Sequence, residues 1–399
     1  MSKYRDLLER CETLVIFKSL KEDEVVHALL ETLAAAEDEC SDSVSWYCEF
    51  VSLLYKHGDN LTKYILKLVL ENENLYMLRR GSGEQTGELL DECLANELFL
   101  LEELAEISCE ELTDSLDFDG FLPRYNTEKA DFSKIYADRI HNIAKYGYGI
   151  YSQYHVFVID NGKIVPVEYP DSISLSQLSG YERERGEVID NTLALLAGKP
   201  ANNVLLYGDC GTGKSSTVKA VANEYADRGL KIIQMSPRHI TCFPKLFEQT
   251  LRSPFRFIVF LDDLTFDRED DNFAALKAFI EGGLAGKPSN LVIYATSNRR
   301  HLIRESMADR QGDDVRVRDT LETVTSLSDR FGLEITFSVP DKDEYLYIVE
   351  QLADESGLAL ERDELHLLAE RFALRRNGRS PRTARQFISQ QLAEQYGNA

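Results

Sequence analysis

Residues 203–225, NVLLYGDCGTGKSSTVKAVANEY, restrict this chain more than any other stretch. Val204–Tyr207 is a short apolar run that reads as a buried strand, and Ser216 onward continues as a helix. Between them, Gly208, Asp209, Cys210, Gly211, Thr212, Gly213, Lys214 and Ser215 fit the pattern G-x-x-x-x-G-K-S/T. Glycines let backbone N–H groups turn inward around a phosphate, and the helix that follows presents its positive end. Lys214 adds a mobile point charge for β- and γ-phosphates. The Ser215 hydroxyl can complete a magnesium shell that keeps several of its waters. An α/β fold with a parallel sheet is expected around such a loop.

Two further strands carry polar ends. RFIVFLDDLTF, from Arg256 to Phe266, is a buried run that stops at Asp262 and Asp263. A carboxylate at such a strand end can hold magnesium through water, and its neighbour can polarise an attacking water as general base. The plainer alternative is that two acids cap a strand at a loop. LVIYATSNRRHL ends its apolar run at Thr296, Ser297 and Asn298, where an amide can orient water between Asp263 and a γ-phosphate. SLSDRFGLEITF sets Arg330 just before a last apolar strand. Three amphipathic helices follow Pro340, with Asp341 and Ser380 as N-caps and Pro381 in the first turn of the last one.

The chain has 399 residues, enough for two or three domains, and 43% hydrophobic with 10% aromatic residues argues against wholesale disorder. Apolar stretches such as FIVFL fall far short of a membrane span, and MSKYRDLLERCETL lacks the apolar core of a secretory signal. Seven cysteines without a CxxC pair exclude a zinc ribbon and argue against a disulfide scaffold. A reducing, cytoplasmic location is expected.

A net charge of −23 speaks against nucleic acid for the molecule in bulk. The charge is unevenly spread. Residues 1–120 hold 10 Lys and Arg against 28 Asp and Glu, a balance of −18, whereas the remaining 279 residues carry −5. Residues 81–120 hold 13 acids and no base. The expected organisation is an acidic all-helical domain over 1–120, a connector over 121–177, an α/β core over 178–339 and a helical lid over 340–399.

Within the acidic part, Leu7, Leu8, Leu14 and Val15 fit helical spacing, as do Val25, Val26, Leu29, Leu30 and Leu33. Gly58-Asp59-Asn60 and Gly81-Ser82-Gly83 read as turns. LLDECLANELFLLEELAEI sets Glu among apolar residues on a three-to-four period, either a solvated helix face or a docking surface for a basic partner. In the connector, FSKIYADRIHNIAKY reads as a helix ending at Gly147, and Asn161-Gly162 between two β-rich runs as a hairpin. Six tyrosines between Tyr125 and Tyr154 either pack a small subdomain or stack on bases.

With these residues in view, the chain resembles the AAA+ superfamily of P-loop ATPases over about residues 170–399. More narrowly, GKPANNVLLYGDCGTGKSS, LDDLTF, YATSNRRHL, SLSDRFGLEITF and SPRTARQF resemble a bacterial group of stand-alone AAA-type ATP-binding proteins described as a domain of unknown function. The resemblance implies an AAA+ core with a C-terminal helical lid, binding ATP and Mg2+. It makes Gly208 to Ser215, with Ser216, the Walker A loop, and Asp262 and Asp263 Walker B, with Ser215 and Asp262 as metal ligands. Asn298 becomes the first sensor, Arg330 the arginine finger and Arg382 the second sensor, while Leu178, Gly180 and Tyr181 fall where the family contacts adenine. It also implies a homo-oligomeric ring, with Arg330 reaching the neighbouring subunit's γ-phosphate.

The chain departs from the family pattern in places. Walker B ends Asp-Asp rather than Asp-Glu, as in some initiator-type members, and Asp263 is one methylene shorter. No aromatic-hydrophobic-Gly pore loop follows the second strand, where His239–Leu251 reads as a loop and helix. Cys210 in the phosphate loop is either a tolerated small residue or a redox-sensitive thiol. Arg371, Arg375, Arg376, Arg379, Arg382 and Arg385 form either a phosphate-sensing lid or a nucleic-acid patch. The functional expectation is an ATPase that remodels a protein client met by the acidic domain. The alternatives are a nucleic-acid loader or initiator and a slow nucleotide-gated switch.

Overall fold

Apolar residues at three- and four-residue spacing bury one face of each helix in the acidic part of the chain. In a computed structural model, residues 3–38, 40–265, 271–281, 289–298, 330–376 and 378–397 are described. They divide into two compact units, Met1–Gln153 and Tyr154–Ala399. The first unit is all helix: α1 Lys3–Cys11, α2 Glu24–Glu37, α3 Ser43–Tyr55, α4 Leu61–Glu71, α5 Leu75–Gly81, α6 Glu88–Ala105, α7 Cys109–Asp114, α8 Phe132–His141 and the single turns α9 Ile143–Tyr146 and α10 Ile150–Gln153. Asp23, Asn60, Asn74, Ser108 and Asp131 each accept a backbone N–H and so cap a helix start. FSKIYADRIHNIAKY is interrupted at Asn142, which caps α8, before the chain turns at Gly147 with φ 73°.

Glu97 is the exception on the acidic helix. It lies on the inner face of α6 beside Leu94, Leu98 and Leu101 and is 4% exposed. Its carboxylate accepts the N–H groups of Val15 at 2.8 Å, Ile16 at 3.0 Å and Phe17 at 2.9 Å. This answers the helical reading of Leu14 and Val15. Helix α1 stops at Cys11, and the next backbone donors turn to a carboxylate instead of helical carbonyls. Glu88, Glu92 and Glu103 of α6 are exposed. Tyr125, Tyr136 and Tyr148 are buried, and the Tyr125 hydroxyl donates to the Ile107 carbonyl, which is the packing role.

The second unit is α/β. Its sheet comprises β1 Val156–Asp160, β2 Lys163–Pro166, β3 Val204–Gly208, β4 Leu230–Met235, β5 Arg256–Leu261, β6 Leu291–Ser297 and β7 Leu333–Phe337. Strand order is β2-β1-β4-β5-β6-β3-β7, parallel except for the β1–β2 hairpin. Asn161 and Gly162 turn that hairpin with φ of 47° and 75°. Because Val156–Val158 pair in parallel with Ile232–Gln234, the hairpin extends the sheet, and the 121–177 segment is shared between the two units.

Helices α11 Glu182–Leu196 and α12 Lys214–Glu224 bury Val188, Leu195, Val218 and Val221 against Val204, Leu206, Ile258, Phe260 and Ile335. The alternate residues Leu205, Ile233, Val259 and Ile293 are buried too, which explains why these strands read as unbroken apolar runs. His239–Leu251 is a short 3-10 turn leading into α13 Phe243–Leu251, and Phe243 stacks on Phe279 of α14 Asp271–Glu281 at 4.3 Å. Helices α15 Lys342–Ser356, α16 Arg362–Arg375 and α17 Pro381–Gly397 pack around Ile348, Val349, Ala369, Ala384 and Phe387. Asp341 and Glu344 form a capping box, and the Thr383 N–H donates to Ser380 at 3.1 Å.

Removing the Glu97 carboxylate takes the partner from three N–H groups, of which those of Ile16 and Phe17 are buried. Glu97→Ala is expected to destabilise the chain by roughly 2–4 kcal/mol in chemical denaturation, against about 0.5 kcal/mol or less for the exposed Glu92→Ala.

Candidate functional site

The loop between β3 and α12 turns where glycine alone fits comfortably. Gly208, Gly211 and Gly213 have φ of 137°, 84° and 99°. A Cβ at Gly208 would lie 2.1 Å from the Phe337 carbonyl oxygen on the paired strand. No side chain caps the start of α12, so its first N–H groups remain available to an anion.

Lys214, 5% exposed, folds back over this loop. Its ammonium donates to the carbonyls of Gly208 at 2.8 Å and Asp209 at 2.7 Å, and to Asn298 Oδ1 at 3.1 Å. Burial pulls its pKa below the ordinary lysine value, opposed by the nearby acids. Asn298 also donates through Nδ2 to Asp263 Oδ1 at 2.9 Å. Ser215 Oγ donates to Asp262 Oδ1 at 2.6 Å. Asp263 sits at φ 52°, a left-handed backbone that costs an L residue roughly 1–2 kcal/mol and that Asp tolerates better than most. Thus residues separated by up to 84 positions form two hydrogen-bonded groups, Lys214–Asn298–Asp263 and Ser215–Asp262, side by side through the adjacent Asp262 and Asp263.

These residues open on a cavity of about 870 Å³, inside the range of small-ligand sites. Cys210, Gly211, Thr212, Gly213 and Ser216 line it with the cluster, as do Leu178 and Tyr181. Gly208 and Asp209 stand behind the lining, as does Gly180, whose carbonyl accepts from Arg185 Nη1. Tyr181 leans on Phe337 at 5.1 Å between centroids. Arg382 lines the cavity, donating its N–H to Gly211 O at 3.2 Å and Nη1 to Cys210 Sγ at 3.5 Å. Arg330 precedes β7 and is outside the lining.

Sequence reasoning did not single out Phe337, Phe372 or Gln386, which also line the cavity. Phe337 and Gln386 fall inside the quoted SLSDRFGLEITF and SPRTARQF stretches but carry no group that marks phosphate chemistry, and Phe372 lies in none of the quoted stretches. Among the six lid arginines, Arg376, Arg382 and Arg385 line the cavity, and Arg379 makes a bidentate pair with Glu370 at 2.9 and 2.8 Å. Arg371 and Arg375 are exposed. The stretches 299–302 and 326–329 of the quoted motifs lie outside the described residues.

The donor set suits magnesium. Among the described residues no three His, Cys, Asp or Glu converge as a protein cage. Ser215 and Asp262 offer two hard oxygens 2.6 Å apart, and magnesium characteristically takes few protein ligands, keeping waters and substrate phosphates.

Residues 152–395, more than half of the chain, match the family model described as Protein of unknown function (DUF815). The chain belongs to that family. The DUF815 span begins close to the second unit's start at Tyr154, so it takes in the β1–β2 hairpin, ahead of the 170–399 stretch marked by the motifs. The architecture of this unit is an α/β core with a mainly parallel seven-stranded sheet, followed by a bundle of three helices. Similar solved structures include the Thermotoga maritima RuvB Holliday junction branch migration motor, at 16% identity and TM-score 0.39, covering 54% of this chain and 63% of that one. Two variants of that motor match at 17% with TM-score 0.39 and 16% with TM-score 0.37, each over 54% of this chain and over 63% and 64% of theirs. The DUF815 chain therefore spans less than two thirds of these structures. A search among curated proteins returned no match.

Gly208→Ala forces both a strained φ and a backbone clash. It is expected to lower stability by at least about 2 kcal/mol in thermal unfolding and to weaken nucleotide binding in parallel.

Proposed function

We propose that this DUF815 protein is a magnesium-dependent ATPase that couples ATP binding and hydrolysis to movement of its lid and remodelling of a protein partner. The observation that carries this reading is the cluster of Lys214, Ser215, Asp262, Asp263 and Asn298 at the mouth of the phosphate loop. Lys214 leaves the Gly208 and Asp209 carbonyls to meet the β- and γ-phosphates. Ser215 and Asp262 hold Mg2+, which neutralises phosphate charge when bound. Asp263 accepts a proton from water, and Asn298 keeps both that water and Asp263 oriented. Leu178, Gly180 and Tyr181 receive the adenine, and Arg382 carries the phosphate state into the lid.

Arg330 lies outside the cavity, which supports a role toward a neighbouring copy in a homo-oligomeric ring. The acidic first unit meets the protein partner. That Arg376, Arg382 and Arg385 line the cavity supports phosphate contact over a nucleic-acid surface for these arginines. Cytoplasmic residence accords with free thiols and with the absence, among the described residues, of a helix long and apolar enough to cross a membrane.

Calorimetry with magnesium present is expected to find ATP binding in the wild type and none in Lys214→Ala; a wild type that binds no nucleotide overturns the reading. Arg330→Ala is expected to keep binding and lose about 10³-fold or more in turnover, with wild-type activity per subunit rising with protein concentration. Retained binding without any wild-type turnover identifies the slow switch instead. Salt-titrated DNA binding by the full chain tests the loader alternative.

A further inference from the structure

Strand β6 presents a hydroxyl where its alternate neighbours are Val292 and Tyr294, members of the apolar core. Thr296 is 2% exposed, and an unpartnered hydroxyl there would be unfavourable. It is fully used. Thr296 Oγ1 donates to Asp262 Oδ1 at 2.6 Å and accepts the Asp263 N–H at 2.9 Å. The Thr296 carbonyl accepts the Leu264 N–H at 2.7 Å. Three successive residues at the end of β5 are therefore fastened to one residue of β6.

We propose that the Thr296 hydroxyl is the positioning residue for both acids of the site. This rests on the ATPase reading. One lone pair holds the left-handed turn at Asp263, which aims that carboxylate at Asn298. The O–H fixes Asp262 against Ser215, so that the acid addressing the cation and the acid addressing water keep a constant separation. The short Asp263 side chain is thereby set by a turn and two tethers rather than by the reach of a longer carboxylate. Thr296 lines the cavity, but its O–H and one lone pair are committed to Asp262 and Asp263, so it acts through these two partners.

Thr296→Val keeps the shape and removes the hydroxyl, whereas Thr296→Ser keeps the hydroxyl. In nucleotide-free protein, amide hydrogen exchange at Asp263 is expected to accelerate in the Val variant and to stay as wild type in the Ser variant. The magnesium concentration giving half-maximal binding of a fluorescent ATP analogue is expected to rise several-fold for Val alone. Turnover is expected to fall about 10- to 100-fold for Val with KM for ATP little changed, since misplacement rather than binding is the defect. A Val variant with wild-type exchange, magnesium midpoint and turnover overturns the proposal, as does a Ser variant as impaired as Val. A wild type without turnover counts against the hydrolase reading instead, and the exchange and magnesium measurements then decide the role of Thr296.

Discussion

The pairing of β3 between β6 and β7 is the constraint on which the rest of the α/β unit depends. Leu206 stands opposite Thr296 on one side, and Gly208 opposite Phe337 on the other. This register lifts the phosphate loop out of the sheet beside the end of β6, so that Lys214 reaches Asn298. The adjoining β5–β6 ladder runs through Leu261 and Ala295, which delivers Asp262 and Asp263 to the same edge. A shift by one residue in either ladder would turn these ends to the opposite face and separate the cluster. The backbone thus makes the site, and the side chains refine it.

The cluster is largely satisfied internally. Lys214 is held by carbonyls and an amide, and Asp262 accepts two hydroxyl donors. In the proposed ATPase, an incoming nucleotide would exchange such bonds for charge-assisted ones to phosphate, so that binding would rearrange existing contacts. Arg382 ties the loop to the C-terminal helices. Its backbone N–H is bonded to Gly211 while its own helix is packed into the lid bundle.

The acidic first unit shows how charge count and charge role differ. Most glutamates of α6 stand in solvent, as their spacing suggests. Glu97 shares that spacing but fastens the 15–17 segment from within. Arg10 pairs with Glu103 at 2.6 Å and Glu102 accepts the Phe132 N–H, so part of the acidic balance is structural. The remaining negative surface belongs to the −18 of residues 1–120.

Much of the fold was legible because its signals are local. Strand–loop–helix at 203–225, the Asn161-Gly162 turn and the caps at Asp341 and Ser380 each rest on neighbours in sequence, and backbone sterics act over a few residues. Likewise Asp262, Asp263 and Asn298 announce themselves at the ends of apolar runs. The sequence by itself marked the residues proposed for phosphate chemistry, with Lys214 and Ser215 at a helix start and Asp262, Asp263 and Asn298 just past strand ends. Tertiary structure alone decided that Thr296 is a tether, that Glu97 is inside, that the hairpin joins the sheet, and that Phe337 and Phe372 face the cavity. Those roles depend on strand register and helix packing between segments tens to more than a hundred residues apart, where no periodicity or motif reports which partner a donor will find.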